Sequence, residues 1–223
     1  MPQGPTPRQR ARADNIARIK ELALGQLAES GAADLSLRAI ARELNLVSSA
    51  IYRYFPSRDE LITALIVDAY NDLAASLEAA GSTRAPHRVR WSAVTGAFRS
   101  WAREQPHRFA LVYGSAIPGY RAPGDTIEPA ARVVRAFCAP AVRGPGARLP
   151  GGAADGLAGQ LDVFADAVGV ERDPDAVLDL AAAFARMVGA VQLELNGHFV
   201  GTFEPADALF SRFAEREADA LGL

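Results

Sequence analysis

Cysteine occurs once in the 223 residues, as Cys138, and lysine once, as Lys20, beside an abundance of arginine. A lone thiol closes no intrachain disulfide and builds no cysteine-rich metal site. Cys138 reads as a buried, inert thiol, with a redox sensor as the alternative. Also missing is any uninterrupted apolar run of the roughly 18 residues that a membrane span needs. The first dozen residues are polar, broken by Pro2, Pro5 and Pro7, and no apolar stretch follows their charges. The expectation is an unexported, cytoplasmic protein with no membrane partner. His87, His107 and His198 lie far apart, no Gly-rich phosphate loop precedes a helix, and no nucleophile elbow is present. No catalytic residue, metal or cofactor is therefore expected. An enzyme assembled from distant residues stays open as a third reading.

Half-buried strands would alternate apolar and polar residues, and no stretch does so; helical periodicity runs throughout, so the fold class is all-α. A first helix spans about 14–30, with Ile16, Ile19, Ala23 and Leu27 on one face and Gly31 at its end. Ser36 caps a second, whose Leu37, Ile40, Ala41 and Leu44 repeat at helical steps. A short third covers about 48–54 and ends before Pro56. Ser57 and Glu60 then form an S-x-x-E capping box that opens a long fourth helix, to about residue 80. Further helices follow at about 87–104, 106–113, 127–142, 154–168, 174–199 and 205–221, with loops at 114–125 and 143–153. The domain division is an arm and DNA-binding unit over 1–58, then a helical body over 59–223.

The net charge of −2 hides a split. Residues 1–58 carry nine basic and five acidic side chains, a net of +4, which leaves −6 for the remainder. A basic head on an acidic body suits a chain whose head alone meets a polyanion, because counterion release needs local positive charge. An ordinary solvated surface would give the same tally.

The second helix, a tight turn at 45–47 and the third helix make a helix-turn-helix, and Asn45 suits the turn because asparagine tolerates left-handed backbone. The string L-S-L-R-A-I-A-R-E-L-N-L-V-S-S-A-I-Y-R-Y-F-P-S-R-D-E-L, residues 35–61, adds a specific spacing. On Ser36, Ile40, Ala41, Tyr52, Tyr54, Phe55, Ser57, Arg58 and Leu61 the chain resembles the TetR family of bacterial regulators. It departs at the turn, where that family has Gly followed two positions later by Ser and this chain has Asn45 and Val47; Ser48 then becomes a candidate cap. The resemblance implies that Arg38, Ser48, Ser49, Ala50 and Tyr52 face the groove, and that Arg53, Tyr54 and Arg58 face phosphates. Arginine forks to guanine, serine bonds to base or phosphate, and a small Ala50 admits a thymine methyl. Ser57 places the N-terminus of the fourth helix against a phosphate. Phe55 reads as core, Tyr54 as core or contact. Arg8, Arg10 and Arg12 are a flexible arm over the DNA backbone or minor groove, or a solvated tail.

The string from Trp101 to Tyr120 resembles a C-terminal subfamily of such regulators from GC-rich bacteria. Tyr70, Trp91, Phe98, Trp101, Phe109, Tyr113, Phe137 and Phe164 would wall a pocket for a mostly apolar small-molecule effector, or simply fill the core. Val177, Leu180, Phe184, Val188, Val191 and Leu195, with Leu209, Phe210 and Phe213, stripe the last two helices and suggest a four-helix homodimer interface; packing within one subunit is the alternative. The function expected is a DNA-binding repressor, released from double-stranded operator DNA by its effector. The rival is a helical small-molecule binder without specific DNA reading.

Overall fold

The computed structural model describes residues 6–142, 156–169 and 174–223, and every regular element among them is helical. The loop expected at 143–153 lies outside the described residues.

The N-terminal head begins with α1 (Pro7–Ser30), seven residues earlier than periodicity suggested. The cause is local. Thr6 Oγ1 accepts from the Gln9 amide (3.3 Å), Gln9 Oε1 accepts from the Thr6 amide (2.8 Å), and Pro7 occupies the first turn, where its missing N–H does no harm. Arg8, Arg10 and Arg12 are therefore helical and exposed, which corrects the flexible arm. Gly31 (φ +76°) ends α1. Ser36 caps α2 (Leu37–Glu43), accepting from Ala39 N. Asn45 turns the chain at φ +54°, as expected of its amide side chain. Next comes α3 (Ser48–Ile51), a single turn preceded by Val47, so Ser48 is its first residue and not its cap. Ser57 caps α4 (Arg58–Gly81) by accepting from Glu60 N at 3.1 Å.

The body comprises α5 (His87–Glu104), α6 (Pro106–Tyr113), α7 (Ile127–Cys138), α8 (Ala158–Val168), α9 (Pro174–Leu195) and α10 (Asp207–Ala220). Two cores result, and α4 belongs to both. Leu61, Ile62, Leu65 and Ile66 close the head over Ile19, Ile40 and Ile51, so the head's core reaches past the boundary expected at residue 58. Farther along, Leu73 and Leu77 enter the body's core with Trp91, Phe98, Phe137 and Met187. Lys20 reinforces the head by pairing with Asp68 of α4 at 2.7 Å. By length and composition α9 would pass for a membrane span. Its Val177, Leu180, Ala183, Met187 and Val191 are buried in the protein along one face of the helix.

Candidate nucleic-acid interface

The head presents a compact set of side chains. Arg38 stands exposed near the start of α2, Ser48 and Ser49 are exposed on α3, and Tyr52 and Arg53 are exposed in the turn after it. Ala50 is buried, so its methyl packs under α3 and does not face outward; helical stepping from Ser49 turns it into the core. Val47, which sequence reasoning had passed over, is 72% exposed at the leading edge of α3. A large apolar side chain held in water there is suited to a thymine methyl. The signal was present in the sequence as the departure from the family's serine.

Tyr54 is half-buried, and its hydroxyl accepts from Asn15 Nδ2 at 3.0 Å while the Arg12 guanidinium lies over its ring, 5.9 Å from the centroid. It faces α1, not open solvent. Arg58 is also redirected. Its Nη2 donates to the carbonyls of Ala32 and Ala33, in the 3-10 turn that links α1 to α2, and Nη1 lies 3.5 Å from Asp59. The guanidinium thus adds a charged donor to the carbonyls of that turn and ties the start of α4 to it. Ser57, half-buried, leaves the first amides of α4 at the edge of this surface.

Residues 19–65 match the family described as bacterial regulatory proteins, tetR family, and residues 91–216 match the tetracyclin repressor-like C-terminal domain. The chain belongs to the TetR family. The HTH-type transcriptional regulators Rv1816 of Mycobacterium tuberculosis and Mb1846 of Mycobacterium bovis are each 42% identical over 201 residues, covering 86% of this chain and 85% of the relative. The solved structure of the regulatory protein SCO4313 is 36% identical with a TM-score of 0.77, over 98% of this chain and 100% of that one. A tetR-family regulator from Streptomyces coelicolor, 17% identical, shares the fold with a TM-score of 0.63 over 93% of this chain and 80% of its own. This TetR-family chain is thus a DNA-binding transcriptional regulator, with the helix-turn-helix of α2 and α3 as its reading element.

The residues expected to wall a pocket fall into three places. Phe98, Phe109, Tyr113 and Phe137 form a chain of edge-to-face or tilted contacts with centroids 5.1–6.1 Å apart, and Trp91 and Tyr70 join at the margins. Burial holds the Tyr113 phenol well above its ordinary pKa. Trp101 donates its indole N–H to Asp72 at 2.9 Å and carries Arg108 over its ring. Phe164 packs separately, with Leu161, Ala165 and Val177. Tyr70 also lines a cleft of about 270 Å³ between α4, α6 and the loop after it, with Ile66, Leu111, Val112, Ile117 and Tyr120.

Part of the stripe expected to form the dimer interface is taken up within the subunit. Val177, Leu180, Val191 and Phe210 are buried within the subunit; Phe184 joins the aromatic cluster against Phe137 (5.1 Å); Val188, Leu195 and Leu209 are half-buried, and Phe213 is exposed. α9 has two apolar faces, and the periodic pattern cannot say which of them the subunit keeps. The second face runs through Leu178, Ala182, Ala185, Gly189 and Leu193, with both leucines exposed.

Proposed function

We propose that the protein is a homodimeric, cytoplasmic repressor that holds a palindromic operator and releases it when a small, mostly apolar effector enters the body. The observation that carries this reading is α4: one 24-residue helix whose first half closes the head's core and whose second half enters the aromatic core. A ligand lodged against its far half changes DNA affinity to the extent that it fits one arrangement of the helix better than another, typically about 1–3 kcal/mol of coupling. The Tyr70 cleft lies where both cores meet and is the favoured point of entry. Its walls combine apolar side chains such as Ile66, Leu111 and Ile117 with polar groups of Tyr70, Ser115, Tyr120 and Thr126. Dimerisation falls to the outer face of α9, where Ala182, Ala185 and Gly189 let a second helix approach closely between Leu178 and Leu193. Arg186 fixes α10 beside that face through a two-pronged pair with Glu217 (2.6 and 2.7 Å).

Selection of bound sequences from random duplexes tests the reading. The expected product is an inverted repeat whose half-sites are about 34–36 Å apart or a multiple of that. Enrichment of a single asymmetric site, or of none, refutes a symmetric repressor.

A further inference from the structure

The inner face of α1 changes character along its length. From the C-terminal end it runs Leu27, Ala23, Ile19, Asn15, Arg12, Arg8, in steps of three and four that keep all six on one side of the helix. Leu27, Ala23 and Ile19 are buried in the head's core. Asn15 and Arg12 continue the same face and both meet Tyr54, one by a hydrogen bond and one over its ring. Those two contacts fix which way the face points beyond the core. Arg8 follows one turn later, about 6 Å farther along the axis, and is exposed, as is Arg12.

Arginines normally occupy the outer face of an amphipathic helix. Here two of them occupy the inner face of a helix that overhangs its core, with a single acid, Asp14, in the overhang. The overhang is braced. The Thr6–Gln9 capping pair closes its free end and Tyr54 supports its middle. Tyr54 is itself two residues from the exposed Tyr52 and adjacent to Arg53, so the overhang starts from the end of the reading element.

We propose that the first two turns of α1 are a rigid second element of the DNA interface, in which Arg8 and Arg12 hold phosphates beyond the bases read by α3. Asn15 and Tyr54 are positioning residues for it. The contacts carry no sequence information and add affinity for any duplex. The inference rests on DNA binding and not on the effector or the repressor reading.

The test uses the full chain and a 30-base-pair duplex of random sequence, with affinity measured from 50 to 200 mM salt. Replacing both side chains (Arg8→Gln with Arg12→Gln) removes two phosphate contacts and flattens the slope of log affinity against log salt by about 1.8. Over that fourfold rise in salt the variant then loses about 12-fold less affinity than the wild type. Arg84→Gln, an exposed cation on the turn after α4, leaves the slope unchanged. Amide exchange in the DNA-free protein shows residues 10–14 protected. An unchanged slope in the double variant, at an unchanged thermal midpoint, overturns the proposal, and so does coil-like exchange across those amides. A wild type that binds no duplex at all overturns it together with the DNA-binding function.

Discussion

Arg58 offers the sharpest discrimination between a contact to DNA and a contact within the head. Its guanidinium donates to the carbonyls of Ala32 and Ala33, and its side chain is 28% exposed. Hydrogen bonds from charged donors are worth about 1.5–3 kcal/mol when fully desolvated. Water can reach these carbonyls once the side chain is shortened, so Arg58→Gln should cost about 1–2 kcal/mol, discounted from that range for the partial exposure of the side chain. In a chain of this size each kcal/mol moves the thermal midpoint by about 2–4 °C, which predicts a fall of about 2–8 °C. The salt slope for duplex DNA should not change, whereas loss of a phosphate contact would flatten it by about 0.9. Arg58→Lys separates the two cases further. A lysine keeps the charge a phosphate would use, but its ammonium ends one atom short of Nη2 and loses reach to the two carbonyls, so its midpoint should fall as well. A flatter slope in Arg58→Gln, with the midpoint of both variants unmoved, would refute the reasoning and return Arg58 to the phosphates.

Phe98→Ala empties the centre of the edge-to-face cluster and should destabilise the body by about 3–5 kcal/mol, read as a lower urea midpoint; a loss below about 1 kcal/mol would mean that the cluster is not close-packed in solution. Burial pushes the Cys138 thiol up to about 12, so in the folded chain it stays protonated where an unfolded thiol, near 8.5, would already ionise. Its contribution to stability is therefore complete below about pH 8.5 and is lost as pH rises toward 12. Iodoacetamide at pH 8 should leave folded Cys138 unmodified and alkylate it only after denaturation, and prompt labelling of the folded chain would contradict its burial.

What the sequence disclosed depends on how local the cause is. Asn45 at the turn, Ser36 and Ser57 as caps, and Pro106 at the start of α6 act within four residues of themselves and were legible. The bounds of α5 and α6 followed from the same signals. The T-P-x-Q capping signal at Thr6 was equally local, and it was masked by reading a string of prolines and arginines as a tail. Arg58 and Phe184 have structural partners that no local signal announces: Arg58 meets carbonyls 25 and 26 residues away, and Phe184 meets Phe137. The stripe on α9 shows the same limit, since apolar periodicity on both faces says that the helix is covered and not by what.

The continuity of α4 sets a geometric scale. Twenty-four residues at 1.5 Å each make a rod of about 36 Å. Pivoted at its Gly81 end, a tilt of about 5° carries Ser57 sideways by about 3 Å, close to the 3.4 Å rise of one base step along a strand. In a dimer whose heads are one helical turn of DNA apart, a tilt of that size in each subunit puts both heads out of register with their half-sites while every helix stays folded.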